Sequence, residues 1–325
     1  MTVEEQVVST QCLTALASPD DLADWRLALC YEAAHATGIL DALPATPAQI
    51  AGQADLDGQA VADVLHVLAT WDHVRIDGAG VVAPGPAWLN GAERAALAGH
   101  GTWVRRWATM LPVRIHDRHA TVHDPVATAR PGPATGLAML ESAVQPCVVP
   151  VVDACLDDVA SRQDPSRVLD LGGGHGAYAR ELARRGCDVT LQDLPGVIDM
   201  LTSDGRAEAA KVALHAGDAF TDLAPGPFDL ALCGTFTNMF ALDRVRDLLD
   251  QVARVLAPGG RIAIATWMHD LGPVDAAFGV QILVATTGDA HPSDTYRRLL
   301  AETAYAGTHL AQVADPALAL MTAHR

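Results

Sequence analysis

Val168-Leu169-Asp170-Leu171-Gly172-Gly173-Gly174-His175-Gly176 is the stretch on which the reading of the chain turns. A short apolar run carries a carboxylate near its end, breaks into glycines, and gives way to residues 177–185, whose composition suits a helix. Strand, tight loop and helix in that order mark the place where a doubly wound sheet receives a nucleotide-bearing ligand. Glycines leave the backbone bare there, so a ligand can come close where a side chain would block it. The loop alone is ambiguous, because Gly174-His175-Gly176-Ala177-Tyr178-Ala179 also satisfies the dinucleotide pattern Gly-x-Gly-x-x-Ala.

Downstream, the pattern alternates. Asp188-Val189-Thr190-Leu191-Gln192-Asp193 reads as a second strand, and Phe228-Asp229-Leu230-Ala231-Leu232-Cys233 as a later one. Residues 243–256 form an amphipathic helix with Val245, Leu248, Leu249, Val252 and Leu256 on one side. Pro258-Gly259-Gly260 ends it, and Ile262-Ala263-Ile264-Ala265 resumes the sheet. Such alternation predicts an α/β domain, a mostly parallel doubly wound sheet with helices on both faces. Asp170 beside the loop suits the ammonium and sulfonium of S-adenosylmethionine better than a pyrophosphate. Asp193, 23 residues on, is placed to accept both ribose hydroxyls and would serve NAD equally. Gly217-Asp218-Ala219-Phe220 follows an expected third strand, where Asp218 can accept from the adenine amino group while Phe220 covers the ring. Alone, Asp218 reads equally well as a turn residue or helix cap.

Upstream, Thr46-Pro47 starts one helix, with Thr46 as N-cap, and Asp57-Gly58 separates it from a second over residues 59–71. Val74-Arg75-Ile76-Asp77-Gly78-Ala79-Gly80-Val81-Val82 reads as two short strands around a Gly-rich turn. Helix, helix, hairpin is a winged-helix pattern. A DNA-binding regulator is disfavoured, since Arg75 is the only basic side chain between Thr46 and Asn90 and a recognition helix needs Arg or Lys. The net charge of −17 argues against nucleic acid and anionic membranes as partners. Six scattered cysteines show no metal spacing, and no uncharged apolar run approaches the about 20 residues that span a bilayer. The start of the chain lacks a signal-peptide pattern, so a cytoplasmic protein with reduced thiols is expected. Residues 91–164 read as helical, broken at Pro112, Pro125, Pro131 and Pro133. The expected organisation is a dimerisation domain (1–100), a helical connector contributing to an acceptor pocket (101–160) and a cofactor-binding catalytic domain (161–325).

Together the glycine loop, Asp193-Leu194-Pro195-Gly196-Val197, Gly217-Asp218-Ala219-Phe220 and Leu256-Ala257-Pro258-Gly259-Gly260 resemble the class I S-adenosylmethionine-dependent small-molecule O-methyltransferases. That family includes caffeic acid and acetylserotonin O-methyltransferases and bacterial polyketide-tailoring enzymes, and its dimerisation domain fits the winged-helix start. The resemblance implies a homodimer joined through that domain. It implies that Asp170, Gly172 and Gly174 hold the amino acid end of the cofactor, Asp193 and Leu194 the ribose, and Asp218, Ala219 and Phe220 the adenine. Gly234 and Thr235 would lie near the sulfonium, and Met139 would wall the acceptor pocket.

The family's usual catalytic His, which deprotonates the acceptor hydroxyl, is missing: Phe236-Thr237-Asn238-Met239-Phe240 puts Asn238 in its place. An amide is no general base, so three readings stand. The acceptor is itself acidic or nucleophilic and only needs positioning, as the Asn of the similar anthracycline O-methyltransferases suggests. Alternatively His269, in Trp267-Met268-His269-Asp270, acts instead. Or the cofactor serves non-methylating hydroxylation, decarboxylation or pericyclic chemistry. The reading that follows is methyl transfer to a small aromatic or polyketide-like natural product, at oxygen, with carbon and nitrogen as alternatives. Trp103, Trp107, Asn238 and Gln281 join Met139 as substrate-binding candidates. His116, His119 and His123, at i, i+3 and i+7, could share a helix face, but a metal is not expected there.

Overall fold

The computed structural model describes residues 25–120, 133–157, 167–286, 288–313 and 318–325. These divide into two compact units, one of residues 25–112 and 133–142, the other of residues 113–120 and everything described from 143 onward. The stretch expected as a connector is thus shared between the units, the divisions falling inside two long helices.

The first unit contains α1 (Trp25–Ala36), α2 (Pro47–Ala54), α3 (Gly58–Thr70), β1 (Val74–Ile76) and β2 (Val82–Pro84), then most of α4 (Gly91–His116) and the start of α5 (Pro133–Asp157). Thr46 caps α2 as expected, accepting from the Gln49 N–H while the Gln49 side chain accepts from the Thr46 N–H. The β1 and β2 strands pair antiparallel, Arg75 opposite Ala83, which completes the helix, helix, hairpin order. Leu27, Tyr31, Ile50, Val61, Leu65, Leu68, Val74 and Val82 form the core of this unit. Pro112 does not break α4 as expected; it lies inside the helix, where a proline removes only its own N–H and distorts the preceding turn. Pro133 opens α5, while Pro125 and Pro131 lie outside the described residues.

In the second unit the order is β3 (Arg167–Leu171), α6 (Ala177–Arg184), β4 (Asp188–Asp193), α7 (Pro195–Asp204), α8 (Arg206–Ala209), β5 (Ala213–Ala216), β6 (Phe228–Gly234), α9 (Leu242–Val255) and β7 (Leu256–Thr266). It closes with α10 (Pro273–Ala285), α11 (Ser293–Glu302), β8 (Ala306–Gln312) and β9 (Ala319–His324). Seven strands stand in the order β5-β4-β3-β6-β7-β9-β8; the first five are parallel, and β9 runs antiparallel to both its neighbours. The strands on either side of β3 are reached in opposite directions, so the crevice outside the ends of β3 and β6 is the topological switch point.

Fully buried strand residues such as Leu169, Leu171, Leu230 and Ile264 explain the near-continuous apolar runs of a sheet covered on both faces. Val245, Leu248, Leu249 and Val252 of α9 are completely buried, each contributing about 1.5–3 kcal/mol. The helix ends before Pro258-Gly260 as expected, at Val255, but the sheet resumes earlier than Ile262: β7 already starts at Leu256, paired with Phe228. A register shift between Phe228 and Leu230 absorbs the intervening turn, with Gly259 in the left-handed region.

Candidate active site

The loop from β3 to α6 carries three residues with left-handed backbone, Gly172, Gly174 and Gly176. At Gly172 the glycine is required twice over, since a Cβ there would stand 2.2 Å from Cδ2 of Phe236. The Gly172 and Gly173 N–H groups donate to the Gln192 carbonyl at 2.9 and 3.3 Å, pinning the loop to the end of β4. The Gly174 N–H donates to Asp193 Oδ2 at 2.9 Å, and Asp193 Oδ1 accepts from the Leu194 N–H at 2.7 Å. Burial raises the Asp193 carboxyl above its usual range, against the pull of those two N–H groups. Each of its oxygens keeps a further lone pair for a ligand hydroxyl.

Asp170 lies 1 % exposed under this loop. Its Oδ2 accepts from the Ala179 N–H at 3.1 Å, in the first turn of α6, where the helix presents its positive end. Its Oδ1 is buried without a hydrogen-bond partner. Burial pushes the carboxyl up to about 7; the Ala179 N–H opposes this, nearby Asp193 adds to it and Arg180 again opposes.

The predicted adenine residues follow β5. Asp218 Oδ1 accepts from the Phe220 N–H at 2.8 Å, so the carboxylate is partly spent on the turn, as its plainer reading anticipated. Ala219 is in the core and offers backbone only. One face of Phe220 is covered by the Arg244 guanidinium at 3.8 Å, and Phe240 meets the ring edge-on at 5.0 Å. Leu194 is 54 % exposed, an apolar surface beside the Asp193 carboxylate. Gly234 lies against the Tyr178 ring, 2.7 Å from where its Cβ would be. Thr235 holds φ at +51°, an unusual conformation for a β-branched residue, with its N–H donating to the Ala265 carbonyl at 2.7 Å.

Asn238 sits in a single 3-10 turn, Thr237–Met239, and is buried. Thr266 Oγ1 reaches Asn238 Oδ1 at 3.5 Å, and Thr237 shares a 2.8 Å hydrogen bond with the Tyr296 hydroxyl. His269, beyond β7, is exposed; its Nδ1–H donates to the Ala290 carbonyl at 2.8 Å, leaving Nε2 as the basic nitrogen. Both residues meet the segment 288–291. Gly288 packs on the Asn238 carbonyl, Ala290 holds His269, and His291 donates to the Phe240 carbonyl at 3.3 Å. Gln281 is buried on α10. Trp103 and Trp107 are on α4 and Met139 on α5, all three in the other unit. The expected His face does not form: α4 stops at His116, His119 follows the helix end, and His123 lies outside the described residues.

Two residues were missed. Gln192 is fully buried; its Nε2 donates to the Gly217 and Asp222 carbonyls at 3.2 and 2.8 Å and its Oε1 accepts from the Ala224 N–H at 2.8 Å. It ties the ribose-side strand to the adenine-side loop. Asp275, in the first turn of α10, is 2 % exposed with an unpartnered Oδ1, and burial pushes its carboxyl up to about 6.

The site's chemistry fits one cofactor better than its rival. A bare glycine cradle over an enclosed, half-satisfied carboxyl group suits a ligand with an ammonium and a sulfonium better than one with a pyrophosphate, and Asp193 suits its ribose. Residues 147–306 match the O-methyltransferase domain family. The ubiquinone biosynthesis O-methyltransferase of Xylella fastidiosa (strain M23) is 33 % identical over 172 residues, which is 49 % of this chain and 68 % of that protein. Human N-acetylserotonin methyltransferase, solved with S-adenosylmethionine, superposes with a TM-score of 0.70 at 19 % identity over 93 % of this chain and 94 % of that one. An O-methyltransferase from neocarzinostatin biosynthesis, solved with S-adenosylmethionine and 2-hydroxy-5-methyl naphthoic acid, gives 0.65 at 15 % identity, covering 93 % and 96 %. With the cofactor loop, the sheet order and these relatives in agreement, the chain belongs to the class I S-adenosylmethionine-dependent O-methyltransferases.

Proposed function

We propose that this methyltransferase acts on a hydroxyl of a small aromatic or polyketide-like natural product, and that it does so without a histidine base at the family's usual position. The observation that carries this reading is Asn238, buried and reached by Thr266 where a base is expected. Bound S-adenosylmethionine supplies an electrophilic methyl group. The chain's part is to hold an acceptor whose oxygen is already a competent nucleophile, in line and shielded from water. Asp170, Gly172 and Gly174 take the amino acid end, Asp193 and Leu194 the ribose, and Asp218, Ala219 and Phe220 the adenine; Gly234 and Thr235 lie beside the sulfonium. Asn238 and Gln281 shape the acceptor pocket, with His269 Nε2 as the alternative proton acceptor.

The relatives' naphthoic acid and ubiquinone chemistry supports an aromatic acceptor, and family membership favours methyl transfer over non-methylating chemistry. Exposed Trp71 and Ile76 support a homodimer through the N-terminal region, and the acidic balance supports a protein that does not bind nucleic acid. Among the described residues no helix is long and apolar enough to cross a membrane. The test is incubation with S-adenosylmethionine and phenols, hydroxynaphthoic acids, aliphatic alcohols and amines, read by mass spectrometry for products heavier by one methylene. Methylated phenols or naphthols with matching S-adenosylhomocysteine support the proposal. Turnover of amines or aliphatic alcohols alone would contradict it.

A further inference from the structure

Asp170 has one oxygen accounted for and one not. Oδ2 is held by the Ala179 N–H; Oδ1 is enclosed, with neither solvent nor a hydrogen-bond partner to stabilise a charge. Leaving an ionised carboxylate in that state costs far more than leaving a neutral carboxylic acid.

The groups packed around it do not remedy this. Asp193, on β4, is a like charge. Arg180, on α6, is a cation that favours its charged form, and its Nη1 donates to the His175 carbonyl at 2.8 Å. His175, in the loop, directs Nδ1 at the Ala177 N–H. Cys233 on β6 and Cys155 on α5 are buried thiols, each pushed up to about 12 chiefly by burial and so neutral. Arg261 donates to the Cys155 carbonyl at 2.6 Å.

We propose that Asp170 is substantially protonated in the cofactor-free protein and releases that proton to solvent as S-adenosylmethionine binds, so that cofactor uptake is a proton-releasing step. The inference rests on the β3–α6 loop being the cofactor site. The ligand carries an ammonium, a sulfonium and a carboxylate, hence one net positive charge, and that charge favours the ionised form of a carboxyl beneath it. One O–H bond breaks, its electron pair stays on the carboxylate, and the proton passes to the buffer. With the free carboxyl near 7 the sign is fixed: the ligand selects the deprotonated form, so affinity rises with pH and flattens above that value.

The test is calorimetric titration of the intact protein with S-adenosylmethionine in buffers of differing ionisation enthalpy. Working below pH 7.5 keeps the ligand's own amino group, about 7.7–8.0 when free, largely protonated. Near pH 7 about half a proton should be released per cofactor bound, and affinity should fall about 20-fold between pH 7.5 and 5.5. Asp170→Asn should bind with little proton release and a nearly flat pH dependence, and Asp170→Glu should restore the release. Tight wild-type binding with no buffer dependence would overturn the proposal while leaving the cofactor site intact. Release that persists in Asp170→Asn would overturn it too, and failure of the wild type to bind would remove both the proposal and the site reading.

Discussion

Gln192 and Asp275 are buried polar side chains with opposite balances. Gln192 makes three hydrogen bonds to backbone groups of residues 217–224, and Gln192→Leu would orphan the Gly217 carbonyl and the Ala224 N–H, leaving the Asp222 carbonyl only His215 Nε2 at 3.3 Å. At about 1–3 kcal/mol for each abandoned group, a loss of about 2 kcal/mol or more is expected in denaturant unfolding. A loss below about 1 kcal/mol would mean that the loop finds other partners. Asp275 is a liability instead. Its native carboxyl holds a proton to about pH 6, whereas the unfolded chain gives it up near 4, so native stability falls as pH rises across that window. Asp275→Asn should remove this loss, and its stability advantage over the wild type should grow from pH 4 to pH 7 in urea titrations; an advantage independent of pH would refute the assignment. Asp170 and Asp193 were legible in the sequence because the glycines and strand ends beside them fix their places. Gln192 and Asp275 were not, since a polar residue's burial depends on segments far along the chain.

Among the elements, the segment 288–291 unites what the sequence kept apart. It packs on Asn238, anchors His269 and reaches Phe240, although these residues follow two different strands. A Cβ at Gly288 would lie 2.1 Å from the Asn238 carbonyl oxygen, so Gly288→Ala must displace the 3-10 turn. Methyl transfer should drop at least about tenfold with a smaller loss of cofactor affinity, because the turn carries Asn238 while only Phe240 at its end meets the adenine-side Phe220. An equal loss of S-adenosylmethionine affinity would show that the turn belongs to the cofactor pocket. In the other unit, Thr46→Ala removes half of a capping box and should cost about 1 kcal/mol, read as the shift in its thermal unfolding. That cap was readable from Thr46-Pro47-Ala48-Gln49 alone, because capping is a contact between near neighbours. The early start of β7 was not, because the Leu256–Phe228 pairing that extends it is long-range.

At the scale of the whole molecule, alternating strands and helices announced the doubly wound sheet, and the helix, helix, hairpin order announced the N-terminal elements. The antiparallel β9, inserted between β7 and β8, left no local signal. Neither did the division of the chain inside α4 and α5, since a continuous helix looks the same on both sides of such a boundary. What the molecule does depends on the crevice outside β3 and β6 accepting S-adenosylmethionine rather than a dinucleotide. Calorimetric titration of the purified protein with S-adenosylmethionine, S-adenosylhomocysteine and NAD decides this directly. The account predicts that the first two bind at one per chain and that NAD gives no heat of binding. NAD binding in their place, or no binding by either adenosyl compound, would contradict it.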